Sequence, residues 1–151
     1  MTGRDDAPLE ANEKMSKKAI TTPKGKAIGP YSMAIESGDH LFISGQIPLD
    51  AATGKLVEGD VGAQAKQALE NLKAILEAAG LTFEHVVKTT IFLTGMGDFA
   101  AVNEVYKAYV SEPYPARSTI AVAALPMGAK VEIEMTAMRP VEDSLEVTRI
   151  G

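Results

Sequence analysis

Between residues 130 and 139 apolar and polar side chains alternate: Val131, Ile133, Met135 and Ala137 against Glu132, Glu134 and Thr136. Successive side chains of a strand point to opposite faces, so a period of two describes a strand with one apolar and one polar face. Whatever this chain folds into must cover the apolar face. A cover is present in the same sequence. Val61, Ala65, Ala68, Leu69, Leu72, Ile75, Leu76 and Ala79 recur at helical spacing and stop at Gly80, which marks a long amphipathic helix. A second helix, carrying Phe99, Val102, Val105, Tyr106 and Tyr109, is expected to take Asp98 as its cap.

Further strands are expected over residues 31–37 and 40–46, joined by Gly38-Asp39 as a tight turn, over the β-branched run 86–93, and over 116–121. Gly54 and Gly59-Asp60 bracket a loop ahead of the long helix. Strand and helix units that succeed one another in this way place the chain in the α/β class, and 151 residues is the size of one domain. A helical cover on one side leaves the other side of the sheet polar, except for Met33, Ile35 and Met138, whose apolar side chains suggest partial burial by other subunits. Residues 1–14 are polar and acidic without apolar periodicity and read as a disordered lead, with Met15 as a second possible start. The domain is placed at 15–140, and 141–151 is an extension of unassigned role.

Composition removes several classes of function. The net charge is −5, which offers no electrostatic basis for nucleic-acid binding, and Lys17-Lys18 is too short a basic patch to supply one. No apolar run approaches a membrane span, and the polar start resembles neither a secretory signal nor a transit peptide, so the cytoplasm is the expected compartment. Cysteine is absent, which excludes disulfides, thiolate metal sites and a cysteine nucleophile. His40 and His85 are far from one another and belong to no cluster with metal-ligand spacing, so no metal site is expected. Gly95-Met96-Gly97-Asp98 lacks the later glycine of a dinucleotide fingerprint.

Chemistry concentrates near the C-terminal strands, where Arg117 precedes the carboxylates Glu132 and Glu134. A guanidinium can grip a small carboxylate with two parallel hydrogen bonds, and a nearby glutamate can move a proton or hold a water. On spacing alone, a surface arginine beside solvated glutamates fits the run at least as well.

The motifs go further. Pro115-Ala116-Arg117-Ser118 with Val131-Glu132-Ile133-Glu134 resembles the C-terminal signature of the RidA (YjgF) family. Ala27-Ile28-Gly29-Pro30-Tyr31-Ser32 and Ile43-Ser44-Gly45-Gln46-Ile47-Pro48 resemble its two N-terminal motifs, in the same order. Val87-Lys88-Thr89-Thr90-Ile91-Phe92 and the run from Asp98 to Tyr106 agree as well, so the likeness extends from about Ala19 to Pro140. It implies a chorismate-mutase-like α/β fold, with a mixed, mostly antiparallel sheet and two helices packed on one face. The same likeness implies a homotrimer around a central barrel with active sites between subunits.

It also implies a deaminase that hydrolyses reactive 2-imino acids, released by pyridoxal-phosphate enzymes, to 2-oxoacids and ammonia without a cofactor of its own. In that scheme Arg117 binds the substrate carboxylate and Glu132 holds or activates a water. Tyr31 packs on the substrate, and Ser44 and Gly45 let backbone amides approach it. Thr119, also at the site, stands where many members carry cysteine, which removes any thiol chemistry from this chain. Met33 and Ala34 depart from the Gln-Gly or Gln-Ala common in the family and suggest an altered rim or surface. Asn103 reads equally as a structural helix residue. A rival reading from another class is a trimeric ligand-binding or scaffold protein that keeps the fold without turnover.

Overall fold

A computed structural model describes residues 16–25 and 27–140; the lead over 1–14, the start at Met15 and the extension over 141–151 lie outside the described residues. The strands are β1 Lys18–Ile20, β2 Ala34–Ser37, β3 His40–Gln46, β4 Leu49–Asp50, β5 Lys55–Leu56, β6 Val86–Leu93, β7 Ala116–Ala121 and β8 Val131–Met138. The helices are α1 Val61–Ala78 and α2 Phe99–Tyr106. Six strands form one mixed sheet in the order β1-β2-β3-β8-β6-β7. All its pairs are antiparallel except β6 with β7. A parallel pair cannot be closed by a tight turn, and α2 lies in the crossover that joins it.

The hairpin expected at Gly38-Asp39 forms between β2 and β3, with Ser37 opposite His40 and Gly38 at φ 58°. Its first strand is shorter than expected, because Gly29 at φ 130° and the bend through Pro30 turn the chain, so Tyr31 lies ahead of β2. Within the loop read between Gly54 and the long helix, Lys55 and Leu56 form β5, which pairs with β4 as a separate ribbon. Edge strand β1 carried no periodic signal in the sequence.

Asp60 caps α1, its side chain accepting the Ala63 N–H at 2.9 Å. At the other end Gly80 takes φ 76°, its N–H donating to Glu77 O at 2.9 Å and that of Leu81 to Leu76 O at 2.8 Å. This paired arrangement satisfies carbonyls that the helix leaves free. Asp98 behaves differently from its expected role. It sits at the N-cap position of α2 but makes no capping bond, because a 3₁₀ turn over Met96–Asp98 leads into the helix and holds its backbone at φ −87°, ψ −2°. A capping side chain needs the extended backbone that Asp60 has. The helix also ends at Tyr106, leaving Tyr109 beyond it, with its hydroxyl donating to Glu70 Oε2 at 2.7 Å.

Leu69, Leu72, Ile75 and Leu76 of α1 are fully buried in one core with Leu41, Ile91, Leu93, Val131 and Ile133 of the sheet. Each such side chain contributes about 1.5–3 kcal/mol by leaving water. Val102 and Tyr106 of α2 join the same core, so both helices cover one face of the sheet. Met33 joins it too. It is 5% exposed, and an added Cβ on Gly25 would overlap its Cε. The expected burial of Met33 by other subunits is therefore wrong: the missing side chain of Gly25 makes room for it in the chain's own core. Ala34 is buried as well, so neither residue reworks a rim or surface. On the opposite face Phe42 and Ile120 remain close to half exposed. Arg139 fastens the end of β8, donating Nε to Glu36 Oε1 at 2.8 Å and Nη2 to Glu36 and to Ala79 O. The last contact places a cation at the C-terminus of α1, where the helix dipole favours it.

Candidate active site

Strands β3 and β8 pair regularly as far as Ile43 opposite Met135, and the next pair is Gln46 opposite Ile133. One extra residue is accommodated on β3, so Ser44 and Gly45 together face Glu134 in a β-bulge. Beside this bulge opens a cavity of about 400 Å³. Tyr31, Ser44, Gly45 and Glu132 line it together with the apolar Ile28, Leu49 and Met127. Four of the residues expected at the site thus share one cavity.

Glu132 and Glu134 share a face of β8, and periodicity does not separate them. Their surroundings do. Glu134 is exposed, whereas Glu132 is half-buried in the cavity wall, where burial first and the neighbouring negative charge of Glu134 second raise its pKa above the usual carboxylate value. The Tyr31 hydroxyl oxygen accepts the Ile28 N–H at 3.0 Å, leaving its own hydrogen to donate into the cavity. Ser44 is committed elsewhere: its N–H donates to Met33 O at 2.9 Å and its hydroxyl to Ser32 O at 2.6 Å. Its amide is therefore not free for a ligand, and the residue anchors the loop that carries Tyr31.

Arg117 lies in a different place. Its Nη1 donates to Asn103 Oδ1 at 2.7 Å, and its guanidinium carbon lies 5.0 Å from the Tyr106 ring centre and 5.6 Å from that of Phe99. The Tyr106 hydroxyl pairs in turn with buried Thr89 Oγ1 at 3.0 Å, which fixes the ring. Lys107 and Tyr114 complete a cleft of about 480 Å³. Among the described residues no carboxylate lies within 4.0 Å of the guanidinium. Aromatic faces and a neutral amide hold the group without cancelling its charge, and most of its N–H donors remain for an anion. Thr119 lines the floor beside Arg117 rather than the Glu132 cavity, and its Oγ1 is buried without a hydrogen-bond partner among the described residues.

Asn103 is the residue whose part in this cleft sequence reasoning left open. Phe99, Asn103 and Tyr106 stand at i, i+4 and i+7 on α2, the spacing of a single helix face. An amide between two aromatics on one face was the signal.

The register fixes the relation between cleft and cavity. Arg117 pairs with Thr89, on the helix-covered face, and Glu132 pairs with Phe92, on the other. Two strand spacings across and three residues along separate their Cα atoms by roughly 14 Å. One chain does not bring Arg117 and Glu132 to a common small ligand.

Residues 21–139 match the family model described as endoribonuclease L-PSP. The chain belongs to that family. The RidA and YjgF proteins whose motifs it carries are among its solved relatives. It is 56% identical over 128 residues to protein DfrA of Myxococcus xanthus, covering 83% of this chain and 98% of the relative. To a mouse (Mus musculus) protein named 2-iminobutanoate/2-iminopropanoate deaminase it is 52% identical over 124 residues, covering 82% of this chain and 92% of the relative. Among solved structures, E. coli TdcF with bound serine superposes with a TM-score of 0.78 at 46% identity, covering 82% of this chain and all of the other. No helix among the described residues is long and apolar enough to cross a membrane.

Proposed function

We propose that the chain is a cytoplasmic 2-imino acid deaminase that works as a homotrimer, each site being shared between two copies. The observation that carries this reading is the separation of two complementary halves: an unneutralised arginine on one face of the sheet and a carboxylate of raised pKa in a cavity on the other. Arg117 of one copy binds the substrate carboxylate, and Tyr31 and Glu132 of its neighbour face the imine carbon. The partly exposed Phe42 and Ile120 on the uncovered sheet face support association of copies around a central barrel. The deaminase name of the mouse relative and the serine bound to TdcF point to small substrates that carry a carboxylate.

The chemistry needs no cofactor. Glu132 takes a proton from water as the water oxygen attacks the carbon of the protonated C=N bond. It then returns that proton to the nitrogen of the tetrahedral adduct, the C–N bond breaks, and the adduct hydroxyl loses its proton as the 2-oxoacid forms and ammonia departs. Alignment of one water and one proton carrier is enough for useful acceleration, since the imine already reacts with water. The neighbouring negative charges of Glu132 and Glu134 support a small substrate over a polyanion such as RNA.

The test is a coupled assay in which threonine dehydratase generates the imino acid and its decay is followed with parent and variants. Arg117→Ala and Glu132→Gln are each expected to abolish acceleration. Trimers assembled from an equal mixture of the two variants are expected to regain about a quarter of the parental activity, because one pairing in four restores both residues at a shared interface. No recovery would place both residues in one chain's site. A folded trimer without turnover in the parent would favour the binding or scaffold reading.

A further inference from the structure

We infer that Gly45 is a positioning residue for Glu132, the space left by its missing side chain being the seat of that carboxylate. A Cβ built on Gly45 would lie 2.9 Å from both Cδ and Oε1 of Glu132 and 3.1 Å from its Cγ. Real Cβ atoms do not approach so closely, so an alanine and the present position of Glu132 exclude one another.

Backbone conformation is not the reason for glycine here. The described glycines with positive φ are Gly29, Gly38, Gly54, Gly59, Gly80 and Gly128, and Gly45 is not among them. An alanine can therefore adopt its dihedrals. What must yield is decided by the bulge. Ser44 is tied to Met33 O and Ser32 O, and the buried Gln46 donates Nε2 to Ser44 O at 3.0 Å, so the β3 backbone is held on both sides of Gly45. The obstacle opposite is the tip of a flexible glutamate rather than backbone. The fold survives the substitution and the carboxylate moves.

This inference rests on Glu132 being the group that activates water, and the experiment separates the two claims. In the full-length protein, Gly45→Ala is expected to lower kcat by about 10- to 100-fold, the penalty for a reacting group misplaced by about 1 Å, with KM changed less than about threefold. Glu132→Asp is expected to cost less rate in the Gly45→Ala variant than in the parent, because it removes the two atoms that would lie 2.9 Å from the added methyl and leaves only the 3.1 Å approach at Cγ. A melting series gives a readout that needs no turnover. Gly45→Ala is expected to lower Tm by about 2–4 °C alone and by less than about 1 °C when Glu132→Ala is already present. Parental kcat in Gly45→Ala, or effects of the two substitutions that simply add in rate and in Tm, would overturn the inference. If the parent has no deaminase activity, that reading fails by itself and the melting series alone decides the role of Gly45.

Discussion

Around Glu132 the walls come from the sheet and its loops: a bulge in β3, strand β8, and apolar side chains such as Ile28 and Met127. Around Arg117 they come from a helix, with Phe99, Asn103 and Tyr106 of α2 turned toward edge strand β7. The two linings suit opposite electrostatic needs. A carboxylate holds a proton more tightly where burial and a like charge penalise ionisation, as at Glu132. An arginine stays available to an anion where it is exposed, supported by aromatic faces and left without a counter-charge. Placed together in one empty pocket, the guanidinium would pair with the carboxylate and lower its pKa. Within one chain, separation on two faces keeps the guanidinium from pairing with Glu132.

That contrast can be broken first at the reacting groups. Glu132→Gln is expected to reduce kcat by about 10²–10⁴-fold with little change in KM, the range for loss of a general base. Arg117→Lys keeps the charge without the planar fork and is expected to raise KM more than it lowers kcat. Steady-state kinetics on an enzymatically generated imino acid checks both, and an exchange of the two signatures would reverse the assigned roles.

A smaller effect sharpens the description of the arginine side. Asn103→Leu removes the acceptor for Arg117 Nη1 and is expected to raise KM by about 10-fold, the equivalent of a hydrogen bond to a charged group. Asn103→Asp supplies a carboxylate that neutralises the guanidinium, and it too is expected to raise KM. An unchanged KM in both variants would reduce Asn103 to a surface helix residue.

The smallest effect concerns stability. Because the folded-state pKa of Glu132 is raised, its contribution is fullest in acid and is lost as pH climbs from the ordinary carboxylate value through the raised one. Glu132→Gln is therefore expected to melt above the parent at neutral pH, with the difference disappearing in acid. Its half-exposed position keeps the gain modest. Equal displacement at every pH would mean that the carboxylate is unperturbed in the fold.

Much of the architecture was legible in the residues. The alternation in β8, the start of β6 at Val86 and the stop of α1 before Gly80 are local signals, each set by a side chain's own neighbours along the chain. The motifs also singled out Arg117, Glu132 and Tyr31 as candidate site residues, and each lines one of the two cavities. Other features were illegible because they depend on distant partners. Met33 is buried because Gly25 leaves it space, and Ser44 is occupied by Ser32 and Met33 across the hairpin. Asp98 does not cap because a preceding turn fixes its backbone.

By itself the sequence determined the family, the class of fold and the face of each residue within its own strand, since parity along a strand is a covalent property. Only the tertiary structure decided how one strand's faces correspond to another's. β7 joins the sheet as a parallel edge beside β6 rather than next to β8, and its register sets Arg117 level with Thr89 on the helix side while Glu132 lies level with Phe92 on the other. A shift of one residue in that pairing would turn Arg117 to the face of Glu132, and what opposes it is the helix-side set of β7 itself: Arg117 on the Asn103 amide and the Phe99 and Tyr106 rings, and Thr119 beside Phe99 and Val102.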